Sequence, residues 1–221
     1  MPFGVRLRVV VRGISPLIVR TIGVPGGVSL VELHCMLLAC FGWSGEHLHV
    51  FEVRGRSYSD SGYIDAERSQ DVTVGSLGLR AGERFCWRYD FCSDWVIDVR
   101  VEAVVDVAQV RVVSGRRAGP PEWVGGRGCF AEWEHAHSMR EVMDIVADVI
   151  DAGPEIGPGI LKDRLWPLAE WLGRDVFDRT RIEGAVLEAC GCQEQLEVPS
   201  CNSSSKSAST PTTTSATVLV S

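Results

Sequence analysis

The chain of 221 residues carries 22 Lys and Arg against 29 Asp and Glu, a net charge of −7, and 45% of it is hydrophobic; that suits one large or two small globular domains. No apolar run approaches the roughly 18 residues that span a bilayer. The start, MPFGVRLRVVVRG, interrupts its apolar run with arginines and lacks a cleavage-like site, so no secretory leader is expected and the cytoplasm is the expected compartment.

Residues 6–12 alternate, with Leu7, Val9 and Val11 on one side and Arg6, Arg8 and Arg12 on the other, which predicts a strand with one solvated face. Gly13 to Pro16 reads as a turn, and Leu17–Ile22 as a second strand stopped by Gly23 and the Pro25-Gly26-Gly27 breaker. Ser29-Leu30-Val31-Glu32 is a capping-box pattern. Leu30, Leu33, His34, Leu37 and Phe41 then fall at helical spacing up to Gly42. His34 on that stripe reads as a hydrogen-bonded core histidine.

His47–Val53 predicts a third strand with His47, His49 and Phe51 on one face, and Arg56–Ser59 its hairpin partner across Gly55. Residues 60–72 read as loop. Arg84–Glu102 is the centre of the pattern: Phe85, Trp87 and Tyr89 alternate with Arg84, Cys86, Arg88 and Asp90, and Trp95, Ile97, Val99 and Val101 with Val96, Asp98, Arg100 and Glu102. Two strands joined at Phe91–Asp94 are expected there. Strand character resumes through Val104–Val113, and 114–129 reads as a Gly/Pro/Arg-rich loop. Ser138-Met139-Arg140-Glu141 opens an amphipathic helix ending at Gly153-Pro154, and Leu165–Trp171 and Ile182–Ala189 predict shorter helices, with Pro167 in a first turn. From Pro199 the chain is Ser/Thr-rich and too polar to order itself.

The expected fold is α+β: a two-layer, β-grasp-like mixed sheet with one main packed helix, and a helical C-terminal extension. Expected boundaries are 1–136 for the α+β domain, 137–198 for the extension packed on it and 199–221 for a disordered tail.

Five segments, LIVRTIGVP, LHCMLLACFGW, HLHVFEV, YDFCSDW and AGPPEWVGG, together resemble the plasmid pRi ORF-three-like family over about residues 5–135. Members of that family also occur as so-called resolvase-like passenger proteins of insertion elements. The resemblance implies an α+β fold and no established reaction. His47, His49, Tyr89, Asp90, Asp94, Trp95, Pro120, Pro121, Glu122, Gly125 and Gly126 match its motifs. Val19 stands in place of a Trp, Cys92 of the hairpin Gly, Ser93 of an Asp, Ile97 of a His and Trp123 of the Asp in a PPED motif. The resemblance implies that any activity resting on that Asp and His is lost or altered here.

Candidate chemistry centres on the hairpin. His47 and His49 on one strand face, completed by Asp90 or Asp94, would suit a divalent metal. The alternative is that the histidines, Tyr89 and Asp90 brace the hairpin through hydrogen bonds. With Trp95 and Glu122 these residues form the candidate site. No recombinase centre is evident: Ser15, near Arg12 and Arg20, belongs to a Ser-Pro turn, and there is no helix-turn-helix. Gly115-Arg116-Arg117 and Gly125–Gly128 lack the GK[ST] of a P-loop. The eight cysteines show no CxxC and are expected to be reduced. Residues 1–60 carry six Arg against four acids (+2), whereas 139–197 carry six Lys and Arg against thirteen acids (−7). That leaves Arg6, Arg8, Arg12, Arg116 and Arg117 as the nucleic-acid candidates. The expectation is a non-enzymatic accessory protein with a protein partner, nucleic acid being the weaker alternative; its rival is a metal-dependent enzyme. No cofactor is expected beyond the rival's divalent metal.

Overall fold

Alternating aromatic and β-branched residues build the centre of a sheet. In the computed structural model, which describes residues 3–62, 65–136, 138–153, 159 and 165–191, strand β5 (Arg84–Tyr89) buries Phe85, Trp87 and Tyr89. Strand β6 (Trp95–Asp106) buries Trp95, Ile97, Val99 and Val101. Their register pairs Tyr89 with Trp95, Trp87 with Ile97 and Phe85 with Val99, so both apolar rows face the same way, as expected. The expected tail at 199–221 lies outside the described residues, as do 137, 154–158, 160–164 and 192–198 of the expected extension.

Around this hairpin lie β1 (Phe3–Val11), β2 (Val19–Pro25), β3 (His49–Val53), β4 (Arg56–Tyr58) and β7 (Arg111–Arg116). The seven strands run in the order β4-β3-β5-β6-β1-β2-β7. Every pairing between these strands is antiparallel. The β-grasp-like mixed sheet expected from the sequence is thus replaced by an antiparallel one, for a topological reason. Strands β2 and β3 flank helix α1 and point the same way, but β1, β6 and β5 lie between them, so the crossover makes no parallel neighbours.

Helix α1 (Leu30–Phe41) starts at the expected capping box, with Ser29 and Glu32 bonding reciprocally, and stops at Gly42 in a left-handed conformation. Its Leu30, Leu33, His34, Leu37 and Phe41 are buried. Helices α2 (Arg127–His135), α3 (Met139–Ala152), α4 (Trp166–Gly173) and α5 (Arg179–Gly191) follow; α5 packs on α1 and β7. The second capping box, Ser138 with Glu141, opens α3 as expected. The expected loop at 114–129 instead holds the end of β7, a 3₁₀ turn at Glu122–Val124 and the start of α2. The sheet face away from the helices stays polar, with Arg84 and Arg100 exposed.

Candidate functional site

The β5–β6 turn is a tight structure built on two aspartates. Asp90 and Asp94 take φ of 52° and 49°, a left-handed conformation that Asp tolerates better than most residues. The Asp90 N–H donates to Leu48 O (2.9 Å), Asp94 N–H to Asp90 O (2.6 Å) and Cys92 N–H to Asp90 Oδ1 (3.1 Å). Cys92, at the family's glycine position, is not left-handed, so a side chain there meets no backbone penalty. Burial raises the Asp90 carboxyl, but the Ser93 hydroxyl and N–H, the Cys92 N–H and His47 more than offset it, and it titrates below its ordinary value.

Tyr89, the last residue of β5, joins this turn to two distant segments. Its hydroxyl donates to Glu122 Oε1 and accepts from Gly45 N–H (3.0 Å). Glu122 also accepts from Ser44 N–H (2.7 Å) and Ser44 Oγ (3.1 Å). Beside it, Trp43 Nε1 donates to Pro120 O (2.8 Å), and its ring stacks on Tyr89 with centroids 5.2 Å apart. Burial, then the Glu122 bond, pushes the Tyr89 hydroxyl up to about 12. His47 completes the cluster, half-exposed, with Nδ1 3.9 Å from Asp90 Oδ1 and Nε2 3.8 Å from Glu122 Oε1.

The remaining candidates take no part in this hydrogen-bonded node, although His49 and Trp95 flank Tyr89 on the neighbouring strands. Strand β3 begins only at His49, so the two histidines divide: His47 sits at the rim, and His49 turns inward to stack on buried His34, ring centroids 3.5 Å apart. Burial lowers His49 to about 4; burial and the neighbouring His49 lower His34 to about 2. His34 is a core residue as expected, but its Nδ1 and His49 Nε2 have no hydrogen-bond partner among the described residues. Asp94 pairs with Arg88 at 2.7 Å, and Trp95 is core, 5.4 Å from the Trp43 ring. Among the described residues, no group of three or more His, Cys, Asp or Glu has the geometry to hold a metal ion.

Of the nucleic-acid candidates, Arg12 pairs with Asp98. Arg117 is buried, bonded to Glu134, to Asp175 (2.8 Å) and to Pro16 O (2.9 Å). Arg6 and Arg8 are half-buried on β1, and Arg116 is exposed on β7.

Sequence reasoning missed an open pocket of about 600 Å³ behind the Pro120–Trp123 loop, bounded by α4, α5 and the end of α1. Its lining includes Trp123, Trp133, Trp166 and the wholly buried Arg20. One signal was legible: Arg20 alternates with Ile22 and Val24, which places it on the core face of β2. The helices closing the cavity come from distant sequence and gave none.

The comparisons with known proteins agree with this architecture. A crystal structure of a protein of unknown function from Methanosarcina mazei Go1 superposes with a TM-score of 0.60 at 22% identity, covering 82% of this chain and 97% of that one; it shares the fold. Uncharacterized protein y4hQ of Sinorhizobium fredii is 29% identical over 139 residues, which is 58% of this chain and 70% of the relative. No helix among the described residues is long and apolar enough to cross a membrane. The family model for the plasmid pRiA4b ORF-3-like protein matches residues 4–146, which hold the antiparallel sheet, α1 and the Tyr89–Glu122 node; the chain belongs to that family.

Proposed function

We propose that the chain is a non-enzymatic accessory protein of plasmids or insertion elements, of the resolvase-like passenger kind, acting in the cytoplasm by contact with a protein partner. The observation that carries this reading is the commitment of the Tyr89–Glu122 node. Its hydroxyl and carboxylate hold the β5–β6 turn, the Trp43–Gly45 corner and the Pro120–Trp123 loop together, a bracing role rather than a reactive one. The loop so braced presents Trp123, 59% exposed, beside Trp166, 67% exposed. Both indole N–H groups donate to the Glu170 carboxylate, at 2.9 and 3.1 Å. Exposed indoles fixed in place are typical of binding surfaces. Nucleic acid is the weaker partner class, because Arg12 and Arg117 are taken up by ion pairs.

The rival, a metal-dependent enzyme, draws on His47 between two carboxylates. One experiment separates the two. A photoreactive phenylalanine analogue at Trp123 is expected to give a discrete protein adduct in host cells, absent with the same probe at Phe3, which is exposed on β1. Elemental analysis of the purified chain is expected to find no stoichiometric metal. Bound zinc or manganese, lost on replacing His47 and Glu122, together with no adduct at position 123, would overturn the reading.

A further inference from the structure

We propose that the cavity behind the Pro120–Trp123 loop binds a small aromatic anion, its flat body against the tryptophan-lined wall and its charged head toward the Arg20 guanidinium. This goes beyond the protein-partner reading and does not depend on it.

Arg20 carries the inference. The side chain is wholly buried. Its Nε donates to Cys40 O (2.9 Å), and Nη1 donates to Val19 O (2.8 Å) and Arg116 O (3.1 Å). These bonds tie the end of α1 to β2 and β7. Nη2 has no partner. The guanidinium lies between the Phe41 and Phe177 rings, 5.4 and 5.1 Å from their centroids. No described carboxylate pairs with it, so the charge faces only carbonyls and ring faces. Burial lowers its pKa to about 10, which still leaves it cationic at neutral pH. A fold that needed only packing at this position would be served by an apolar residue, because a buried cation without a counter-ion is destabilising.

The cavity that Arg20 lines has the size and composition of a small-molecule site. Its volume of about 600 Å³ lies within the usual range for such pockets. Phe41, Trp133 and Trp166 supply aromatic surface, and Gly119, Ala169 and Ala185 leave room. Part of the wall is fixed by backbone against backbone: a Cβ on Gly119 would come within 2.1 Å of Phe41 O. The acids that line the space are engaged elsewhere. Glu122 is held by Ser44 and Tyr89, Glu170 by Trp123 and Trp166, and Asp178 accepts from Arg181 N–H. Two further cations stand in the lining, Arg174, which bonds Trp171 O and lies over its ring, and Arg181. What remains is a largely apolar pocket with an excess of cationic donors, which matches a planar apolar molecule with one anionic group.

The test titrates benzoate, phenyl phosphate and the neutral isostere benzamide into the full chain. Binding is followed by tryptophan fluorescence, to which Trp123, Trp133 and Trp166 contribute among the seven tryptophans, and by calorimetry. One or both anions should bind saturably, and benzamide more weakly by about tenfold or more, the difference that a charge-assisted hydrogen bond supplies. The benzoate and phenyl phosphate arms show whether a carboxylate or a phosphate is the preferred head. Ala185→Phe, which adds bulk to the lining at a position other than Arg20, should abolish binding while the cooperative melt is retained. Arg20→Met should bring anion binding down to the benzamide level. Equal binding of benzamide and the anions, binding that survives Ala185→Phe, or no saturable binding of any probe up to about 10 mM would each overturn the proposal. The wild-type comparison of charged and neutral probes decides the matter even where Arg20→Met does not fold.

Discussion

Two buried histidines set how the protein should respond to acid. His34 and His49 stack face to face, and burial holds His49 near 4 and His34 near 2, against about 6.5 for an unperturbed ring. The unfolded chain therefore takes up protons below about pH 6.5 that the folded chain refuses until about pH 4. The pair's contribution is fully present above pH 6.5 and is lost as the pH falls from there toward 4. Urea unfolding across this window should show a falling midpoint, and His34→Leu should make the fall distinctly shallower; an unchanged slope would rule the pair out as its source. Tyr89 governs a different kind of stability. Tyr89→Phe removes the hydroxyl that Gly45 donates to and that donates to Glu122. The part-buried carboxylate and N–H are left short of a partner, at an expected cost of about 1–3 kcal/mol in denaturant unfolding, with no change in far-ultraviolet dichroism.

Adjacent glycines in the Pro120–Gly126 loop separate two effects that are often confounded. Gly125 and Gly126 have φ of 82° and 100°, but a Cβ on Gly125 meets nothing within 4 Å, whereas one on Gly126 would sit 2.2 Å from Ser93 O. Gly125→Ala should cost about 1 kcal/mol of backbone strain. Gly126→Ala should cost more, because it also pushes the loop off the β5–β6 turn, and it should displace the backbone resonances of Cys92–Asp94. Equal losses for the two variants would disprove the close approach. The same loop marks where the sequence stopped being legible. Helices α1 and α3 announce themselves by capping boxes, but α2 begins after two left-handed glycines with no side-chain cap, so its start carries no local signal. Gly115 reads as a loop residue, yet it lies within β7, where the Phe177 ring fills the space that a side chain would take. The alternation that suggested His47 and His49 on one strand face extended two residues too far, since His47 precedes the strand. Tyr89 and Glu122 were legible as candidates, but their direct bond joins residues 33 apart and depends on tertiary contact.

At the scale of the molecule, strand identity was readable and strand order was not. Period-two patterns mark individual strands, whereas the placement of β1 between β6 and β2 rests on contacts between residues some 90 positions apart, such as Arg8 with Arg100. That order has an electrostatic consequence. Arg84 on β5 pairs in register with Arg100 on β6, which pairs with Arg8 on β1, so three cations form a row across adjacent strands on the face away from the helices. None of them forms an ion pair with a described residue. The next row differs: Cys86 and Asp98 stand there, with Asp98 bonded to Arg12. Like charges directly opposite on neighbouring strands repel, and opposite charges attract, by about 0.2–1 kcal/mol per pair. Arg100→Glu reverses the sign at the middle of the row and converts two repulsions into two attractions. It should therefore raise the unfolding free energy at low ionic strength, although the chain already carries a net charge of −7, and the gain should shrink as salt screens the row. Unfolding by denaturant at low and high salt measures both effects. A destabilised variant, or a gain that salt leaves unchanged, would show that repulsion along the row does not limit the stability of this sheet.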